Sequence, residues 1–182
     1  MTELENLIVD SIARSTREVF STMLDAQVDF GGAAIESRSP EASDGVVSFI
    51  GLAGAWAGSG SLACSPVMAC RICSQMLMTE SRAVDDEVLD AVAELTNMVI
   101  GGVKTDLEPS LGPLGLSIPT VVYGKNFRAK GAGITEWIVA AFEWEGERLL
   151  VKVCLAPTDV AHAHPHALGH LCALDVSVQS GI

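Results

Sequence analysis

Residues 85–108, DDEVLDAVAELTNMVIGGVKTDLE, decide how this chain is read. At 100° per residue, Asp90, Glu94, Asn97 and Gly101 fall on one narrow strip of a helix. The opposite side carries Val88, Val92, Leu95, Val99 and Val103, an apolar stripe suited to a core. An ordinary outer face would be filled with Lys and Glu. This one offers two carboxylates, a carboxamide and a glycine, flanked by the small Ala91 and Ala93. Asn is a poor helix-interior residue because its amide competes for backbone hydrogen bonds. One turn from a carboxylate, however, a carboxamide can both donate to and accept from a water. Phosphoryl transfer to water needs little more than an in-line water and charge compensation. The strip therefore suits close docking, with Glu94 and Asn97 as candidates for chemistry and Asp90, Ala91, Ala93 and Gly101 as candidate partner contacts. On spacing alone, a solvated helix face carrying a chance Asn is the competing reading.

The bulk numbers narrow the classes. With 182 residues, 49% hydrophobic and 19% charged, the chain has enough apolar material for one well-packed domain and too much for a disordered one. A formal net charge of −12 with singly scattered basic residues excludes a nucleic-acid footprint and disfavours an anionic membrane surface. Residues 45–70 carry no charge and are long enough to span a bilayer, but Gly51, Gly54, Gly58, Gly60 and Pro66 break the run. They read as two buried strands and a helix start instead. The opening MTELENLIVDSIARS has two glutamates and no basic, then apolar, sequence of a secretory signal, so a cytoplasmic protein is expected. Cys64, Cys70, Cys73, Cys154 and Cys172 are then reduced thiols, and the lone Cys70-x-x-Cys73 lacks the second ligand pair of a zinc site.

Along the chain, apolar spacing predicts a helix over 3–24 and a strand over 27–37. A polar turn over 39–44 precedes strands over 46–52 and 55–64. Pro66 opens a helix to Met78. The long helix follows, ended by Pro109, with Gly112, Pro113 and Gly115 extending the turn. Then come a strand over 118–123, a polar basic loop over 124–133, and strands over 134–144 and 148–155 around a Glu145-Gly146-Glu147 hairpin turn. The tail holds His162, His164, His166 and His170, with 171–178 able to add an edge strand. This order reads as α+β, about three helices on a mostly antiparallel sheet. The long apolar strand over 134–144 reads as an edge that a second copy would pair.

The motifs taken together resemble the CheC/CheX/FliY family of chemotaxis phosphatases. Asp90 stands four residues before Glu94-Leu-Thr-Asn97, followed by Gly101-Gly102-Val103-Lys104-Thr105; the Gly-rich stretch 45–77 and Leu116-Ser-Ile-Pro119 leading to Gly124 complete the set. The resemblance covers roughly residues 4–156, so a CheX-like domain over 1–156 and a tail over 157–182 are expected. Glu3-Leu-Glu-Asn6 repeats the Glu-x-x-Asn pattern, but with no residue four before Glu3 and no Gly after Asn6 it reads as chance. A single active helix points to the CheX branch. Gly101-Gly102, where the family often has Gly-Asn, and the tail are departures.

The resemblance implies hydrolysis of the aspartyl-phosphate of a CheY-type response regulator, with Asn97 orienting the water and Glu94 contacting the regulator's lysine. It implies a homodimer with no cofactor of its own, Mg2+ belonging to the regulator. The alternative is a non-catalytic response-regulator-binding or adaptor module of the same fold. A metal-dependent enzyme using Asp90, Glu94 and the tail histidines is the third reading.

Overall fold

Helix α1 (Glu3–Met23) starts at a reciprocal cap: Thr2 Oγ1 accepts from the Glu5 N–H at 3.2 Å, and the Glu5 carboxylate accepts from the Thr2 N–H at 2.6 Å. The Glu3-Leu-Glu-Asn6 repeat therefore lies in a capping turn. The computed structural model describes residues 1–36, 43–130, 136–158 and 175–178, with 43–44, 126–130 and 175–178 described in backbone alone. Strand β1 (Asp29–Glu36), β2 (Ser43–Gly54) and β3 (Trp56–Cys64) follow α1, and the uncharged 45–70 stretch belongs to the sheet and to the start of α2. Ser65 caps α2 (Pro66–Leu77) through the Met68 N–H at 3.1 Å, with Pro66 in the first turn where its missing N–H costs nothing. Asp85 caps α3 (Asp86–Leu111) by accepting from the Val88 N–H at 3.0 Å. Then come β4 (Leu114–Leu116), β5 (Thr120–Lys130), β6 (Trp137–Trp144), β7 (Glu147–Pro157) and β8 (Asp175–Val178).

The strands form one sheet of order β1-β6-β7-β3-β2-β5-β8, with β4 pairing β2 beside that path. Every ladder is antiparallel. The helices bury their apolar stripes against one face, where Ile12, Phe20, Ile50, Leu62, Met68, Ile72, Leu95 and Phe142 build the main core. Smaller clusters around Val47 and Phe49, and around Trp137, Val139 and Cys154, lie apart from it. Among the described residues, three helices on an antiparallel sheet give the expected α+β class.

Four expectations need correction. Pro109 does not end α3: the helix runs on to Leu111, which is buried, and the Gly112 N–H still reaches Glu108 O at 2.9 Å. Only the bond that Pro109 cannot donate is lost, and Gly112 at φ 82° makes the stop. The stretch 124–130, expected as loop, is strand, because Gly124 and Phe127 pair with β2 and Phe127–Lys130 pair with β8. β4 is an added short strand. The 134–144 strand is not an edge: from Trp137 onward it lies between β1 and β7, so the open edge passes to β1. The hairpin turn stands as expected, with positive φ at both Glu145 (49°) and Gly146 (78°) and Trp144 paired to Glu147. Of the turn expected over 39–44, residues 43 and 44 already belong to β2, while the rest of it and the tail histidines lie outside the described residues.

Candidate active site

Helix α3 is fixed from below and from one side. Val88, Val92, Leu95, Val99 and Val103 are all fully buried, as their spacing requires. Ile100 sits directly over Gly60 of β3, where an added Cβ would come within 2.8 Å of its side chain. On the flank, Ser15 of α1 donates to Val99 O at 2.7 Å, and Arg14 pairs with Asp106. A Cβ at Gly102 would meet Ser15 Oγ at 2.2 Å. Gly102 thus serves the α1–α3 packing rather than an outer docking surface. The buried Thr96 satisfies its hydroxyl on Val92 O at 2.7 Å. Sequence reasoning missed the Ser15–Gly102 contact; Ser11 and Ser15, one turn apart on α1, were the available signal.

The strip faces outward on this rigid base. Asp90 and Glu94 are exposed, while Asn97 and Gly101 are half-buried. At Gly101 an added Cβ would meet nothing closer than Leu116 at 3.8 Å, so its outer side is open. Ala93 is half-buried at the strip's margin. Ala91 departs from expectation: it is 6% exposed and part of the main core, since it lies about 100° round the helix from Asp90. It cannot touch a docked partner.

Charge on the face is one-sided. Asp85, Asp86, Glu87, Asp90 and Glu94 are exposed along the first turns. The first three gain from the helix N-terminus. Lys104, further along the strip, is tied to Glu108 at 2.8 Å. Glu108 also accepts from the Leu114 N–H at 3.0 Å, and these two contacts, the backbone one first, hold its carboxyl below the ordinary glutamate range. Among the described residues, neither Asp90 nor Glu94 enters an ion pair. The strip thus presents an unpaired carboxylate and, one turn on, a carboxamide about 5–6 Å apart at Cβ.

The metal-dependent reading draws on tail histidines that lie outside the described residues. Among the described residues, no three His, Cys, Asp or Glu side chains gather to hold a metal ion. Burial pushes the Cys64 and Cys154 thiols up to about 12, so neither is a nucleophile near neutral pH. Among the described residues, no helix is long and apolar enough to cross a membrane.

With this geometry in hand, a family model described as chemotaxis phosphatase CheX matches residues 46–143, more than half of the chain. A CheC-like superfamily protein from Shewanella sp. PV-4 is 26% identical, covering 86% of this chain and 99% of its own, with a TM-score of 0.73. The chemotaxis protein CheX from Vibrio vulnificus is 28% identical over 82% of this chain and 99% of its own, with a TM-score of 0.71. A chain of the CheX–CheY–BeF3–Mg2+ complex from Borrelia burgdorferi is 22% identical over 81% and 97%, with a TM-score of 0.66, a likeness of fold. No curated protein matches the chain.

Proposed function

The chain belongs to the CheX family of chemotaxis phosphatases, and we propose from that premise that it hydrolyses the aspartyl-phosphate of a CheY-type response regulator in the cytoplasm. The observation that carries this reading is the strip on α3: an exposed Glu94 and, one turn on, a half-buried Asn97, on a helix locked from behind.

Hydrolysis of an acyl phosphate needs a water in line with the P–O bond to the aspartate. Attack forms the new P–O bond as that bond breaks, returning the carboxylate and releasing inorganic phosphate. The Asn97 carboxamide, entering the regulator's site, orients the water by donating and accepting hydrogen bonds. Glu94 pairs with the regulator's active-site lysine and sets the depth of approach. Asp90 adds attraction for a basic rim, and Gly101 with Ala93 keeps bulk away, so that a short Asn can reach a recessed phosphate. Mg2+ belongs to the regulator, and this chain needs no cofactor of its own.

The protein is further proposed to act as a homodimer joined through a sheet edge, with both α3 strips facing outward. β1 is such an edge and exposes Ile35. A strictly monomeric species by light scattering at tens of micromolar would overturn this part alone. The test of activity is phosphate release from a panel of phosphorylated receiver domains with Mg2+ present. Multiple turnovers are expected on at least one; tight binding without turnover would make the protein an adaptor module instead.

A further inference from the structure

Beside α3 stands one large side chain that the mechanism leaves unused. Tyr123 is the only tyrosine of the chain and is 51% exposed. Its direction follows from register. It pairs with Val46 between β5 and β2, and directly opposed residues in an antiparallel ladder point to the same face. Val46 is fully buried in the main core, and Val121, two residues before Tyr123, packs against that core. Tyr123 therefore rises on the helix side of the sheet, where α3 adjoins β5.

Its level along α3 follows from two contacts. Gly60, paired with Ile50, lies under Ile100, and Leu116, paired with Leu52, lies against Gly101. From Ile50 back to Val46 is about 13 Å of strand, matching about nine residues of helix. The direction is toward the start of α3, since its C-terminal end lies at the other end of β2, where Gly54 pairs with Leu114 and Gly112 lies against Ala55. This sets Tyr123 beside the turns carrying Asp90 and Glu94. Ala93 lies within about 20° of Ile100 on the helix, so it faces the sheet there. A methyl group at that place leaves the tyrosine ring uncovered.

We propose that Tyr123 is a docking residue for the receiver domain: its ring packs against the docked receiver while Glu94 and Asn97 engage the phosphorylated site. An isolated surface aromatic would need no role. This one adjoins the strip and supplies a broad, rigid surface with a polar tip, the kind of side chain that anchors interfaces. The proposal rests on the phosphatase reading above and adds affinity rather than chemistry.

The probe is a receiver domain that the wild type dephosphorylates, loaded with Mg2+ and beryllofluoride for binding and phosphorylated for kinetics. Tyr123→Ala is expected to raise Kd and KM about tenfold, with kcat at saturating receiver within about twofold of wild type. Tyr123→Phe should keep Kd within about threefold, because the ring area remains. Tyr123→Thr, which suits a strand, replaces the alanine variant should that one unfold. An unchanged Kd in the alanine or threonine variant would overturn the proposal, as would a fall in kcat with Kd unchanged. Either result leaves wild-type turnover and the dependence on Asn97 standing. Absence of wild-type turnover on every receiver would overturn the phosphatase reading and this inference with it.

Discussion

Gly102→Ala probes the seat of α3, and its effect can be worked from a few distances. The new Cβ would lie 2.2 Å from Ser15 Oγ and 3.0 Å from Ser15 Cβ. Ser15 is 4% exposed and already donates to Val99 O at 2.7 Å, so its hydroxyl cannot turn to water. Rotating it away leaves a buried hydroxyl unpaired, about 2 kcal/mol. The remaining Cβ–Cβ contact is still tight and forces the helices slightly apart, about 1 kcal/mol at the mild end of overpacking. Alanine returns about 1 kcal/mol over glycine inside a helix. The net loss is about 2 kcal/mol, a fall in Tm of roughly 4–8 °C. In a Ser15→Ala background the hydroxyl is gone, the two smaller effects cancel, and Gly102→Ala should be nearly neutral. Urea denaturation of the four proteins reads the coupling directly. The same cost for Gly102→Ala in both backgrounds would refute the reasoning. Because displacement of α3 also moves Asn97, turnover of the folded Gly102→Ala protein should fall as well.

Glu94→Ala should raise KM about tenfold or more and weaken the salt dependence of regulator binding, since a charge pair with a lysine is lost; unchanged affinity at all salt concentrations would remove the lysine contact. Truncation after Thr158 should keep fold and turnover, because α3 rests on β2, β3 and β5, and should lower Tm by a few degrees, about what loss of the short β8 pairing implies. Loss of soluble protein would show that the sheet depends on β8. Glu108 titrates lower in the folded protein than in the unfolded chain, so its stabilisation is present above the ordinary glutamate range and is lost as pH falls through the lower folded value. Glu108→Gln should therefore flatten the acid side of the Tm–pH curve, and an unchanged slope there would count against the Lys104–Glu108–Leu114 arrangement.

Periodicity carried most of the fold. The valine stripe of α3 was readable because a 3.6-residue repeat has one physical meaning when it lasts for about four turns, and the same repeat placed Glu94 and Asp90 outside. The Glu145-Gly146 turn was readable because few residue pairs tolerate two positive φ angles in succession. What escaped was set by partners distant in sequence. Ala91 and Ala93 look alike as flanking alanines, yet one is in the core and the other at the margin. Residues 124–130 lack an apolar alternation, and only pairing with β2 and β8 makes them strand. Gly101 and Gly102 are adjacent, but the position of Ser15 makes the second a packing glycine. Pro109 does not stop the helix because one missing donor in a last turn is a small loss when Leu107 and Leu111 are buried on either side.

The most direct measurement is single-turnover phosphate release from a phosphorylated CheY-type receiver with Mg2+, comparing wild type with Asn97→Ala. Asn97 is half-buried on a helix whose core stripe it does not join, so the variant should fold and bind the receiver within about threefold of wild type. Its rate should fall by on the order of 10²-fold, the cost of losing an oriented water. A rate equal to wild type in a folded, receiver-binding Asn97→Ala protein would contradict the assignment of the α3 strip as the active site.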